Sequence, residues 1–374
     1  MVAVSCNPYE ESKEHGRPQA AKKSPVGSFL VFGFHPVGMS NVVAAAAFAR
    51  GIFNLTRTGI AAELTAASEQ RLPPVGGRCR IATKRGVQGS EAGAVVSGIL
   101  LGGFYSLMGM GQNIIFGVMN IVNFCHGEML MVGMYITYVL YTYFGVDPYV
   151  ALPIVAVLMF GLGALIQSTL ITPSLKTKSF TNLLFLTVGL GLLLTNGALV
   201  IFGSTYYKII TPYSQTYIPL GPVTIALPRL VSFLILIVVA IALFAFLKYS
   251  TTGKQIRAVS QNPIGAEVVG INVKKIYILT YGLGVALAGI AGSLLTQFYT
   301  IYPTAGASFG FRALIVVVVG GLGSIPGAFF AGIFLGLLEQ MSALFISPSY
   351  SDMIVFVTFI IILVVRQVMI LRRR

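Results

Sequence analysis

Residues 248–275 read KYSTTGKQIRAVSQNPIGAEVVGINVKK, a polar and basic stretch between two apolar runs, 230–247 and 276–311, that hold no Asp, Glu, Lys or Arg. That contrast decides the fold class. Further charge-free runs cover 129–146, 148–175, 179–207 and 313–338. A helix needs about 20 apolar residues to cross about 30 Å of hydrocarbon, and several of these runs are long enough. Only 10% of the 374 residues are charged and 56% are hydrophobic, whereas soluble domains carry about a quarter charged residues. The chain reads as all-α, a polytopic transmembrane helical bundle of about 8–10 spans, some short or broken. A membrane barrel would instead alternate apolar and polar residues in short segments.

Working outward from 248–275, spans are expected at 93–111, 128–146, 149–172, 180–203, 230–248, 276–298, 309–322, 325–341 and 352–371. Residues 112–127 read as another short span or as a re-entrant segment, because irregular backbone survives at membrane depth only inside protein or along a cavity. Lys176 and Lys178 share one loop; Lys248, Lys254, Arg257, Lys274 and Lys275 share another; Arg366 and Arg372 to Arg374 close the chain. The positive-inside rule places these three regions in the cytoplasm and leaves 147–148 and 204–229 outside. Parity then requires two short helices in 309–341, broken near Gly323-Ser324-Ile325-Pro326-Gly327. The net charge of +14 is distributed by topology rather than gathered into one patch, which argues against nucleic acid as a partner.

Residues 1–91 carry most of the chain's Glu and little apolar periodicity. They are expected to form a weakly ordered N-terminal extension, with the membrane domain at 92–374. Phe29 to Ala49 has the outline of a signal peptide, but the basic region before it is long and His35-Pro36 interrupts it. Cys6, Cys79 and Cys125 lie far apart without C-x-x-C spacing, so neither a disulfide framework nor a metal site is expected, and no cofactor is.

Within the polar stretch, Thr251-Thr252-Gly253 precedes a helix-compatible run, Lys254 to Ser260. Asn262-Pro263 punctuates it, and Ile264 to Gly270 permits a second short helix ended by glycine. Two readings stand on this pattern: a surface helix that enters a partner's cleft and passes on its motion as a rigid body, or a solvated basic loop that sets topology. Gly253-Lys254 is no phosphate loop, since Lys248 stands where the first Gly belongs and Gln255 follows. Any ATP chemistry must therefore reside in another subunit. The glycine-rich run 320–327 has Pro326 where a dinucleotide fingerprint needs Gly.

Charges inside the spans are few. Glu128, Glu339 and Asp352 each fall near an expected membrane boundary, where their cost is small. Glu128 suits the first turn of a helix; alternatively Asn123, His126 and Glu128 line the route or brace a partner surface. No acids lie deep in several spans, which weighs against a proton-coupled carrier. Gly323/Gly327, Gly332/Gly336 and Ala288/Gly292 are spaced for close helix packing in lipid. A hinge among Gly320, Gly321, Gly323, Pro326 and Gly327 is the competing reading.

Three separated stretches resemble one family in order: Ile121 to Glu128 (IVNFCHGE) with Met129 to Tyr135, Thr252 to Pro263 (TGKQIRAVSQNP) with Gly270 to Val273, and Ala313 to Ala328 (ALIVVVVGGLGSIPGA). The chain from about 93 to 371 is similar to branched-chain amino acid ABC transporter permeases, specifically the smaller permease of the high-affinity system. Cys125 replaces a residue that is often small in that family. Glu267 is displaced from the family's usual loop glutamate and inherits no role, whereas Ala266 and Gly270 keep their places. The resemblance implies a non-catalytic permease domain with a cytoplasmic coupling loop at 249–275, in a bacterial inner membrane. It implies docking of two ABC ATPase subunits through Thr252, Gly253, Arg257, Ala258, Asn262, Pro263, Ala266, Gly270 and Asn272. It also implies a homologous second permease and a periplasmic substrate-binding protein. The expected cargo is leucine, isoleucine and valine or related hydrophobic amino acids. The alternatives are a related importer for urea or short amides, an ATP-independent secondary transporter or channel, and a structural membrane protein.

Overall fold

A computed structural model describes residues 84–175, 180–220 and 223–372. The extension expected at 1–91 lies outside the described residues up to 83, as do Lys176, Lys178, Arg373 and Arg374. In chain order the elements are α1 (Lys84–Met119), α2 (His126–Phe144) and α3 (Pro148–Ile166), which runs through a π-helical turn, Gln167–Ile171, into α4 (Thr172–Leu175). Then come α5 (Phe180–Phe202), the strands β1 (Tyr217–Leu220) and β2 (Val223–Ala226), and α6 (Leu227–Tyr249). The polar stretch folds as α7 (Thr251–Gln261) and α8 (Pro263–Val268), followed by α9 (Val273–Leu295), α10 (Ala305–Gly320), α11 (Ile325–Phe345) and α12 (Pro348–Arg372).

Among the described residues, six helices are long and apolar enough to cross a membrane, within α1, α3–α4, α5, α6, α9 and α11; α10 and Tyr350–Val365 of α12 are shorter apolar helices. This is a multi-pass membrane protein. α2 is less apolar than α3 because it carries His126, Glu128, Thr137 and the tyrosines 135, 138, 141 and 143. The helix–break–helix arrangement expected for 309–341 is present, with α10 ending at Gly320 and α11 starting at Ile325.

Residues 112–127 form neither a separate span nor a wholly irregular loop. α1 continues to Met119 and stops at Asn120, whose φ of 53° is left-handed and whose N–H still bonds to the Phe116 carbonyl at 2.8 Å. Asparagine tolerates that conformation better than most residues. The chain then doubles back along α1. Gln112 Nε2 donates to the Asn123 carbonyl at 3.1 Å, and His126 Nε2 lies 3.2 Å from the Met108 carbonyl. Ile121, Asn123 and Cys125 are buried, which meets the requirement that non-helical backbone at depth be enclosed by protein.

A second difference is the hairpin β1–β2 inside 204–229, paired antiparallel from Tyr217↔Ala226 to Leu220↔Val223. It belongs to one end of the bundle. There Tyr213 Oη donates to Asp147 Oδ2 at 2.7 Å, Tyr141 Oη to the Ile210 carbonyl at 2.6 Å and Tyr149 Oη to the Pro228 carbonyl at 3.1 Å. Tyr207 bridges Ile301. Burial, and next the bond to Asp147, hold the Tyr213 hydroxyl above the ordinary tyrosine range, so it stays a donor. The loops at 145–149 and 204–226 thus share one end, as the charge pattern expects.

Water drives little helix association in lipid, so packing must come from close contact. α1 and α11 meet with almost no side chain between them. A Cβ added at Gly102 would run into the backbone of Gly332 and Ile333, one at Gly336 into Gly102, and one at Gly332 into Ser106. Ser106 Oγ donates to the Phe329 carbonyl of α11 at 2.6 Å and to the Gly102 carbonyl of its own helix at 2.8 Å. α9 makes similar crossings, Gly289 against Gly133 of α2 and Gly284 against Gly111 of α1.

Gly332→Val is expected to destabilise the detergent-solubilised protein by at least about 2 kcal/mol, because the added carbons meet backbone that cannot rotate away. Gly161→Ala, where a Cβ meets nothing within 4 Å, should leave the thermal midpoint unchanged. Equal midpoints for both variants would show that the seam is not closely packed.

Candidate functional site

Three successive side-chain caps fold the polar stretch into an elbow. Ser250 Oγ accepts from the Gly253 N–H at 2.8 Å and starts α7. Asn262 Oδ1 accepts from the Gly265 N–H at 3.0 Å and starts α8, with Pro263 in its first turn. Asn272 Oδ1 accepts from the Lys275 N–H at 3.1 Å and starts α9. Each such cap is worth about 1 kcal/mol. Gly270, at φ 86°, gives the left-handed turn out of α8 at no steric cost.

The elbow has an inner and an outer side. Gly253 sits against the backbone of Phe246 and Leu247, so closely that no other residue fits without movement. Ile256, Val259 and Ala266 are buried, and the Ala266 carbonyl accepts from the Ile271 N–H at 3.0 Å. Thr252 and Ala258 are half-buried, whereas Arg257, Asn262, Pro263, Gly270 and Asn272 are exposed. Ala266 therefore shapes the elbow from within rather than presenting itself to a partner. The outward apolar groups are Ile264 (76% exposed), Val268 (83%) and Val269 (74%), none of them among the residues expected from the sequence. Their signal is an apolar residue on a short helix otherwise flanked by charge.

The glycine-rich break lies at the same end as the elbow. Gly321 and Gly323 have φ of 94° and 83°, Gly320 packs on Gly327, and Ser324 Oγ caps α11 through the Gly327 N–H at 3.2 Å, with Pro326 in the first turn. Asn113 of α1 holds the break in shape. Its Nδ2 donates to the carbonyls of Gly321 and Ser324, at 3.0 and 2.6 Å, and its Oδ1 accepts from the Gly323 N–H at 2.6 Å. A cavity of about 380 Å³ is lined jointly by Ile256, Arg257 and Ser260 of the elbow and by Gly323, Ser324 and Pro326 of the break. Two groups of residues far apart in sequence thus share one wall.

Asn123, His126 and Glu128 sit where the doubled-back segment enters α2. Asn123 Oδ1 accepts from Cys125 Sγ at 3.0 Å, and Glu128 occupies the first turn of α2. Asn123 and Glu128 line a cleft of about 80 Å³ against Gly310 and Phe311 of α10. Asn123 Nδ2, His126 Nδ1 and Glu128 Oε2 are buried with no protein partner. His126 packs on α1 instead of lining that cleft. Among the described residues no three His, Cys, Asp or Glu come together in a metal-binding group.

One cluster is missing from the sequence-based expectations. Arg312, within α10, donates through Nε to Glu339 Oε2 at 3.2 Å and through Nη2 to Asp352, while Tyr105 Oη donates to the same Glu339 oxygen at 2.8 Å. Four helices, α1, α10, α11 and α12, are tied at this point. α11 runs to Phe345, beyond the expected boundary, so Glu339 lies more than a turn inside it, with its side chain only 12% exposed. The signal for Arg312 was its place as the lone charge between the runs 276–311 and 313–338. Beside it a cavity of about 180 Å³ is walled by Phe104, Phe298, Tyr299 and Phe309, with the Arg229 guanidinium 5.2 Å over the Phe298 ring.

Arg312→Leu is expected to destabilise the protein by about 3–5 kcal/mol, since it leaves Glu339 buried without its cation. The double variant R312L/E339L should recover most of that loss in thermal unfolding. Additive losses would show that the two side chains do not depend on each other.

Comparison with known proteins supplies the remaining observation. Residues 94–363 match the family described as branched-chain amino acid transport system / permease component. The high-affinity branched-chain amino acid transport system permease protein LivH of Escherichia coli (strain K12) is 30% identical over 74% of this chain and 94% of that relative. BraD of Pseudomonas aeruginosa, with the same description, is 28% identical over 75% of this chain and 95% of its own length. A probable branched-chain amino acid transport permease protein of Methanocaldococcus jannaschii is 29% identical over 65% of this chain and 78% of that protein. No solved structure matches.

Proposed function

We propose, for a chain that belongs to the branched-chain amino acid transport system permease family, that it is the membrane-spanning permease subunit of a bacterial ABC importer. It would carry leucine, isoleucine, valine or related hydrophobic amino acids across the inner membrane. The substrate class rests on the relatives' names. The energy source rests on the elbow, and the elbow is the observation that carries the proposal.

A solvated loop that only set topology would need no internal order. This one has three caps, a buried inner side and a rigid seat on α6. Its outer side exposes Ile264, Val268 and Val269 beside Arg257 and Glu267, an apolar centre with a charged rim of the kind that protein interfaces bury. In this reading two ATPases bind the paired permeases on the elbow side, a periplasmic binding protein delivers cargo to the hairpin side, and a homologous second permease completes the conduit. The chain supplies no catalysis. Closure of the ATPases moves the elbow, and the elbow presses on the α10–α11 break through the wall they share. Such coupling requires the ATPases to bind one permease state more tightly than the other, since equal affinity shifts nothing. Asn123 and Glu128, which line a cleft beside α10, are the pathway candidates; His126, between them in sequence, anchors the start of α2 on α1.

The double variant I264D/V268D should insert and fold normally yet lose ATPase association by roughly tenfold or more, since central apolar contacts at interfaces each cost more than about 1 kcal/mol when lost. Co-purification and uptake assays read this directly. Undiminished uptake would remove the elbow from the mechanism. In a second test, the purified chain in sealed vesicles should accumulate no leucine without its ATPases, and accumulation driven by an ion gradient would favour a secondary transporter.

A further inference from the structure

We propose that the cavity between α7 and the α10–α11 break binds the phosphate headgroup of an anionic phospholipid. Its lining includes two cations, Lys248 and Arg257, and no acid. The ion pairs among the described residues all involve Arg312, so neither cation is neutralised by a carboxylate there. Arg257 reaches only the Lys248 carbonyl, at 3.5 Å. Ser324, the cap of α11, and Ile325 and Pro326 of its first turn form another part of the wall, which places the positive end of a 21-residue helix beside the same space. Three sources of positive potential meet there without an anion.

The opposite wall is hydrocarbon: Ile114 and Val118 of α1, Phe244 and Leu247 of α6. A charged rim over an apolar floor matches a lipid, whose phosphate and acyl chain are joined. A free phosphate would leave the floor uncovered, and so would an acidic side chain of a docked protein. Position agrees with chemistry. α6 leaves the membrane at this point, Lys248 and Tyr249 are exposed, and the Lys248 ammonium lies 5.2 Å over the Tyr249 ring. Aromatic and basic side chains anchor helices at the headgroup level, and basic pockets between transmembrane helices take anionic headgroups. A lipid seated there touches the elbow and the break together, so the membrane's own composition would bias how they move. Arg257 also stands at the rim of the proposed docking face, so the site is tested on the purified chain without ATPases.

The chain contains no tryptophan, so Phe244→Trp gives a single reporter in the cavity wall. The full-length purified variant is placed in phosphatidylcholine vesicles containing either brominated phosphatidylglycerol or brominated phosphatidylcholine. Each cation near a membrane surface is worth about fivefold, so phosphatidylglycerol should reach half-quenching at a mole fraction roughly 30-fold lower. Adding K248Q and R257Q should reduce that preference to less than about threefold. A reporter at Ile201, exposed at the hairpin end, should show no preference. Equal quenching by both lipids overturns the proposal, as does a preference that survives loss of both cations or appears equally at Ile201. A response of the reporter to inorganic phosphate with equal quenching by both lipids would assign the site to a soluble anion, and a response to purified ATPase but not to lipid would assign it to a protein contact; either refutes the lipid. If Phe244→Trp fails to fold, Val118→Trp reports from the facing wall.

Discussion

Contact between bare helix backbones is the constraint on which this structure rests. In hydrocarbon an apolar side chain gains little by leaving lipid for a neighbouring helix, so association has to come from dispersion at short range. α1, α2, α9 and α11 obtain it by placing glycine against glycine or against main chain: Gly102 at Gly332 and Gly336, Gly133 at Gly289, Gly127 at Gly306 and Gly310. The outer helices α5 and α6 instead expose large apolar side chains, among them Phe185, Leu193, Val200 and Val238. The polar groups that remain inside are few and do specific work. Ser106 stitches α1 to α11, Asn113 shapes the break, and Arg312 gathers two acids.

The same constraint explains how force would travel. Helices in direct backbone contact have no rotamers to absorb a displacement, so a push on one moves its partner. The elbow is locked to α6 through Gly253, and its inner side shares a wall with the break after α10. That break is one of the places where the main chain adopts left-handed conformations, at Gly321 and Gly323. In the proposed mechanism, rigid seams with a conformationally permissive joint beside the elbow would act as a lever.

Much of this was legible in the sequence. Charge-free runs gave the membrane helices, parity demanded a break near 323–327, and Asn262-Pro263 marked the division between the two short helices of the elbow; the caps at Ser250 and Asn272 emerged only in the structure. What stayed hidden depends on tertiary contact. Nothing in the local pattern says that Ala266 faces inward while Ile264 and Val268 face out, because α8 is only six residues long and helical periodicity needs more turns to declare a face. The segment after Met119 stayed open between a short span and a re-entrant course because helical pattern and irregular return occupy one apolar stretch. The hairpin has strands of four residues, below the length at which alternation is persuasive. Arg312 looked like an interruption between two oily runs until Glu339 and Asp352 came from other helices to meet it.

The α1–α11 seam also limits how such a chain can vary. Gly98, Gly102 and Ser106 on one helix meet Gly336 and Gly332 on the other, a register written in steps of four. Inserting a single residue between Gly98 and Ser106 would rotate everything beyond it by about 100°, swinging bulky side chains into a gap sized for hydrogen. Deletions and insertions within the seam should therefore break its packing, whatever the residues involved. Descendants of this molecule are free to change their letters more readily than their spacing.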